Sequence, residues 1–466
     1  MMTEMRLKAL LVTMVLWMCV FAKAIRGADN ICTFCSCTTV TGKSVVETFV
    51  NVNCSRKNIE IPPSGALWPS KTLSMDLSFN SINVINVLEN NNFLKYLNLS
   101  SNNISLIEYQ AFNELPALQK LCLKNNSLGD LHQDIFKMLN NLETLDLSFN
   151  KLKSLPEYIF KEQKKLTYLT LAGNPFRNIP SDLLRPLKYL EYLDLSLTGN
   201  YFLTPGLFHE LTWLKVVKLT KNEFQDVPTV ALRSAEELEE IYLDENPITE
   251  LNLKSFTGLQ KIRIISLSNM PVLGYVDELT FSKLRHLEFL NLHSNPQLEV
   301  IHALAFKGIL DPKSNQMRLN NVNLRNNSLN TLYEDALPWC KLETLDLRDN
   351  PWNCDCKLKW IKNCNMKEEL KDLLLCHAPE NLRSNVIMTV PEDQFICHSK
   401  ESHWREMHNR IVRSIIIGII CVISFILVFA SLTYFKRDKI MEWWLAKRRG
   451  SGAVYYVKAK SFPEDI

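Results

Sequence analysis

The chain lacks every local signature that usually carries chemistry. Its 466 residues hold no Gly-x-Ser-x-Gly, no His-Glu-x-x-His and no phosphate-cradling glycine loop. Paired carboxylates are missing too: Asp76, Asp146, Asp194 and Asp346 share one place of a repeat, which spreads them along the chain instead of converging them. His403 and His408 stand five apart, off one helical face, and make a poor metal pair. Charge of one sign is absent as well. With 53 basic and 50 acidic residues the formal net charge is only +3, too small and too mixed for nucleic-acid binding. These gaps argue against an enzyme, a metal site or a cofactor, and leave a protein that works by binding.

What is present is a repeat. Leu142-Glu-Thr-Leu-Asp-Leu-Ser-Phe-Asn150 has the form LxxLxLxxN. The pattern recurs about every 24 residues, starting at Thr72, Leu94, Leu118, Leu142, Leu166, Leu190, Leu214, Leu238, Ile262, Leu287, Leu319 and Leu342. Self-similarity at that period marks a solenoid of leucine-rich coils, none of which can bury its own leucines without neighbours. Alternation through Leu145-Asp146-Leu147 predicts a short strand with Leu142, Leu145 and Leu147 inward and Glu143, Thr144, Asp146, Ser148 and Phe149 outward. Asn80, Asn102, Asn126, Asn150, Asn174, Asn222, Asn246, Asn295, Asn327 and Asn350 recur where the chain leaves the strand. There a carboxamide can satisfy backbone groups whose burial unpaired costs roughly 1–3 kcal/mol each. Phe112, Phe136, Phe160, Phe208, Phe256, Phe281 and Phe306 recur on the return side and predict a stacked aromatic spine. Strands about 4.8 Å apart would make an arc on the order of 50–60 Å, with a concave sheet suited to binding a protein.

The ends of the chain predict export and anchoring. A basic start and an apolar run over 9–22, closed by Ala22-Lys-Ala24, read as a signal peptide over 1–24, with a signal anchor as the rival. Residues 415–435 are 21 uncharged residues, long enough to cross a bilayer, and Lys436, Arg437 and Lys439 follow them. The span shows no small-xxx-small pair built on Gly418. A stalk over 399–414 would precede it and a cytoplasmic tail over 436–466 would follow. Lys439–Arg449, with its paired tryptophans, would lie along the inner leaflet, while Tyr455, Tyr456 and Glu464-Asp-Ile466 are weak adaptor signals. The expected location is the plasma membrane, type I.

Thirteen cysteines are present, and eight of them flank the array: Cys32, Cys35, Cys37 and Cys54 before it, Cys354, Cys356, Cys376 and Cys397 after it. In an exported chain they read as disulfides sealing the open ends of the core, zinc being the alternative. Cys32-Thr-Phe-Cys-Ser-Cys37 and Pro351-Trp-Asn-Cys-Asp-Cys-Lys-Leu-Lys-Trp360 resemble the cysteine-rich flanks of capped extracellular leucine-rich-repeat proteins, a family that includes Toll-type receptors, Slit-type proteins and adhesion receptors. That resemblance implies caps over 30–71 and 351–398 around about twelve repeats over 72–350. It also implies the pairs Cys32–Cys37, Cys35–Cys54, Cys354–Cys376 and Cys356–Cys397. Three cysteines depart from the family pattern. An extra bridge between Cys340 and Cys364 is conceivable, and Cys122 is then the odd thiol, free or joined to another chain. A tail of about 30 residues is far too short for a Toll-type signalling domain, which puts autonomous signalling in doubt.

Five sequons occur, at Asn53, Asn98, Asn103, Asn125 and Asn326. Glycans at Asn98 and Asn125 would shield the first three coils, so a protein ligand is expected on later ones. Coils seven and eight offer Lys215 and Lys218 beside Glu239, Glu240 and Asp244, with Tyr168, Tyr192, Tyr242 and Phe289 nearby as aromatic anchors. The plain alternative is that the charged rows neutralise each other. The sequence thus predicts a non-catalytic cell-surface recognition or adhesion receptor, or co-receptor, binding an extracellular protein. Its rivals are an accessory or decoy subunit of a Toll-type receptor and a homophilic structural adhesion protein.

Overall fold

The computed structural model describes residues 30–41, 47–63, 67–176, 179–310, 317–364, 366–397, 412, 414–427, 441–445 and 447. The expected signal peptide, residues 311–316, most of the stalk and nearly all of the tail lie outside them. The chain divides into two compact units, Met1–Phe395 and Ile396–Ile466.

The first unit is a solenoid built on one 14-stranded sheet. An antiparallel pair, β1 (Ser36–Thr41) and β2 (Thr48–Asn53), forms its N-terminal edge. Twelve short strands follow in parallel, one from each coil that the repeat predicts. They are β3 (Thr72–Asp76), β4 (Tyr96–Asn98), β5 (Lys120–Cys122), β6 (Thr144–Asp146), β7 (Tyr168–Thr170) and β8 (Tyr192–Asp194). The rest are β9 (Val216–Lys218), β10 (Glu240–Tyr242), β11 (Ile264–Ser266), β12 (Phe289–Asn291), β13 (Asn321–Asn323) and β14 (Thr344–Asp346). In each three-residue repeat strand the middle residue is buried and its neighbours face out, Met75 taking that place in the longer β3, because a strand leaves alternate side chains on opposite faces.

The asparagine ladder turns the corner. Asn150 Nδ2 donates to Leu147 O in its own coil and to Leu123 O in the coil before, both at 3.0 Å, while its Oδ1 accepts from Leu128 N at 3.1 Å. Asn174 repeats the three bonds one coil on. Coil six breaks the rule. Thr198 Oγ1 lies 2.8 Å from its own Leu195 O and 2.9 Å from Asn222 Oδ1, and the displaced Asn200 donates to it at 2.6 Å with its own Oδ1 buried and unpartnered. In coil nine the place is held by buried Met270.

The phenylalanines form the spine on the return side. All seven are fully buried, and rings 256, 281 and 306 stack at 5.8 and 5.0 Å before handing over to Trp339. Two coils have Leu184 and Leu232 at that place, and these are the coils that form a helical turn, Ser181–Leu184 and Thr229–Leu232. Each turn is preceded by a proline, whose fixed φ suits a helix start.

One residue differs from the expected outward row. Ser148 is buried, since its N–H and hydroxyl both turn back onto Asp146 Oδ1 at 2.9 and 2.6 Å. Phe149, next along, has φ +55°, and the same place is left-handed in all twelve coils, from Phe79 to Asp349. That conformation aims each N–H at the next coil, as in Phe149 N to Ala172 O at 2.7 Å.

Disulfides close the two ends. Cys32 is joined to Cys37 and Cys35 to Cys54; at the other end Cys354 is joined to Cys376 and Cys340 to Cys364, and Cys356 and Cys397 are also disulfide-bonded. Cys122 and Cys421 are free thiols.

In the second unit, residues 414–427 are helical. Among the described residues no helix is long and apolar enough to cross a membrane. The remainder of the apolar run, residues 428–435, lies outside them.

Candidate functional site

The outward face of the sheet carries the residues singled out from the sequence, and register decides which of them meet. Tyr168, Tyr192, Val216 and Glu240 are consecutive partners across β7 to β10, and Thr170, Asp194, Lys218 and Tyr242 form the parallel row beside them. The rings of Tyr168 and Tyr192 stack at 4.2 Å, nearly parallel. Lys218 Nζ lies 5.5 Å from the Tyr192 ring and 5.0 Å from the Tyr242 ring, so its cation is held by aromatic faces. Tyr242 in turn donates to Glu240 Oε2 at 2.8 Å. Four strands therefore share one aromatic strip with a lysine set into it. Burial first, with nearby carboxylates adding to it, pushes the Tyr168, Tyr192 and Tyr242 phenols upward, so they stay neutral at physiological pH.

The remaining sequence candidates do other things. Lys215 is bound to Glu191 at 3.0 Å. Glu239 belongs to a clasp in which Arg263 bridges it and Glu288 at 3.0 and 2.9 Å. All three pairs join residues 24 or 25 apart, so opposite charges at one repeat offset could have revealed them. Neutralisation thus accounts for this row. Asp244 Oδ1 accepts from Ser268 N at 2.8 Å and from the Ser266 and Ser268 hydroxyls, which ties it to the rim of the sheet. Phe289 is exposed on β12, with Ile264 of β11 between it and Glu240 of β10.

Cys122 is half-buried on β5, its Sγ 3.8 Å from Asp146 Oδ2, and burial pushes the thiol upward. Of the sequons, Asn98 is half-buried on β4 of the strand face, whereas Asn53, Asn103, Asn125 and Asn326 are exposed. Among the described residues no group of His, Cys, Asp and Glu could hold a metal.

Comparison with known proteins agrees with this architecture. A family model named Leucine rich repeat matches residues 116–176, 212–272 and 236–297, and a related model named Leucine Rich Repeat matches 93–115. The coil is a leucine-rich repeat. Human Leucine-rich repeat-containing protein 19 is 38% identical over 72 residues, 15% of this chain and 19% of that protein. Mouse chondroadherin is 33% identical over 103 residues, 22% of this chain and 26% of that protein. The chain therefore spans about a quarter or less of these relatives. Among solved structures, the TLR13–ssRNA13 complex superposes with a TM-score of 0.53 at 21% identity, covering 72% of this chain and 55% of that one. The Drosophila Toll–Spatzle complex gives a TM-score of 0.51, also at 21% identity, over 72% of this chain and 49% of that one. At such identity the likeness is one of fold.

Proposed function

We propose that this is a single-pass, type I cell-surface leucine-rich-repeat protein that binds an extracellular protein on its strand face and has no catalysis of its own. The observation that carries the reading is the aromatic strip of Tyr168, Tyr192, Lys218 and Tyr242. Exposed tyrosines flanked by charge are the residue types that anchor protein interfaces, and nothing else among the described residues covers them. Disulfides at both ends suit an oxidising, extracellular setting, and the apolar run over 415–435 would supply the anchor. Solved relatives of the fold are complexes with an RNA and with the protein Spatzle; an even balance of charge on this chain favours protein.

The test exploits a convenient sequence. Tyr168→Asn writes the sequon Asn-Leu-Thr into the middle of the strip without touching the core. The full chain is displayed on cells with its tail replaced by a reporter, and secreted proteins are screened. Binding should be abolished by Tyr168→Asn but only weakened by Tyr168→Gln, which carries no glycan. A ligand indifferent to both places recognition elsewhere. Protease applied to intact cells should remove the repeats, and survival of the repeats would refute the surface topology.

A further inference from the structure

We infer that β1 is a docking edge for a second copy of this chain, the two β1 strands pairing antiparallel about a two-fold axis through Thr39. This contact is independent of the strand-face binding proposed above and shares none of its residues. β1 is the outermost strand of the 14-stranded sheet and pairs with β2 alone, from Ser36 opposite Asn53 to Thr41 opposite Thr48. In an antiparallel strand alternate residues turn their N–H and C=O groups to opposite sides, so about half of this row faces away from β2. Outside the ladder with β2, no backbone group of residues 36–41 has a partner among the described residues. Only Cys37 is half-buried and the other residues of the strand are exposed, so no described segment covers the row.

Exposed edges are ordinarily guarded by charge, by proline or by a bulge, because a bare row of N–H and C=O groups accepts any strand that fits. β1, Ser-Cys-Thr-Thr-Val-Thr, has no charged residue and no proline, and its register with β2 runs without a shift. What fits it best is itself. Neighbouring side chains along a strand point to opposite faces, so two copies keep matching faces only when the pairing is centred on a residue. Centred on Thr39, it sets Thr39 against Thr39 of the second copy, Thr38 against Val40 and Cys37 against Thr41. Every pair is small and uncharged, and most are of the β-branched type that sheets favour. Centring on Thr38 instead would enlist Ser36, which lies beside the sequon asparagine Asn53; the Thr39 axis leaves that asparagine beyond the paired stretch. Thr38 and Val40 share a face with their partners Asn51 and Phe49, and behind them Glu47 and Lys71 are paired with each other at 3.8 Å. Such an isologous contact uses the edge up, so the product is a dimer and not a chain. Five residue pairs bury far less than the roughly 1,600 Å² of a stable complex, so the dimer is weak and forms at high concentration.

The full chain, purified in detergent at physiological salt, is followed by hydrogen–deuterium exchange from about 1 to about 300 µM, a range suited to so small an interface. The amides of residues 36–41 that face away from β2 should exchange about five-fold or more slowly at the upper end, as sedimentation shows the mass rising toward two chains. Thr38→Lys with Val40→Lys crowds four ammonium groups around the axis, and Thr38→Glu with Val40→Glu four carboxylates. Each pair of substitutions should abolish the concentration dependence and leave the melting temperature alone, both positions being exposed. Mixing the two variants sets lysine against glutamate across the axis and should restore the protection. An edge that stays unprotected in the parent at the highest concentration, or protection that persists in the lysine variant alone, overturns the pairing. So does a mixture that gains none, or a dimeric mass with residues 36–41 unprotected, which would place association elsewhere.

Discussion

Asn150 donates to the carbonyl of Leu123, 27 residues earlier, at the same 3.0 Å as to Leu147 in its own coil. One side chain thus closes a turn and joins two coils. Asn150→Ala would leave the buried N–H of Leu128 unpaired, while the Leu123 and Leu147 carbonyls each keep one donor, from Asn126 and Asn174. We expect a loss of roughly 1–3 kcal/mol by denaturant unfolding. Asn80, which is half-buried, should cost less when changed in the same way, and equal losses would show that the ladder is not the cause.

Gly173 lies beneath the ring of Phe149. A Cβ at 173 would stand 2.6 Å from the ring, and φ there is +68°. Gly173→Ala should therefore lose stability through two separable causes, the left-handed backbone contributing about 1–2 kcal/mol. In a double-mutant cycle Phe149→Ala should return the contact part only. Complete recovery would mean that the backbone carries no cost.

The bridge between Cys340 and Cys364 closes a separation of 24 residues, from just before the last coil to the cap. Replacing both by serine should lower stability by about 3 kcal/mol, the chain-entropy value for such a loop. A melting temperature unchanged by the double substitution would show that the link is dispensable.

Acid sensitivity should appear at the last repeat strand. Burial alone would raise the Asp346 carboxyl, but Arg348 outweighs it with Nε, Nη2 and its own N–H at 2.9, 2.7 and 3.2 Å, and the carboxyl is held below its ordinary value. A carboxyl depressed by folding stabilises above its unfolded value, near 3.9, and that stability is lost as pH falls through the folded value. Asp346→Asn should thus melt lower than the parent at neutral pH, and the gap should close below about pH 4. A gap constant down to pH 2 would contradict the pairing.

The solenoid was legible because its constraints repeat. A buried leucine, a turn-closing asparagine and a spine phenylalanine each admit few substitutes, so the residues themselves recur. The left-handed place before the asparagine was invisible for the opposite reason. Phe79, Asn125, Lys221, Glu245 and Asp349 all occupy it, because their side chains leave the coil and only the backbone is constrained. Ser148 was misplaced because alternation assumes extended chain, whereas its hydroxyl folds back onto Asp146. The aromatic strip was half-visible. Tyr168 and Tyr192 announced themselves, but the partners of Lys215 and Glu239 show only once the coils are laid side by side.

The two borders of the long sheet differ. β1 is exposed along nearly all of its length and pairs only with β2, whereas beyond β14 the segment carrying Cys364, Met366 and Leu370 packs against Leu345, leaving a void of only about 10 Å³. One tip of the sheet is stoppered, and the other offers an edge to a further strand.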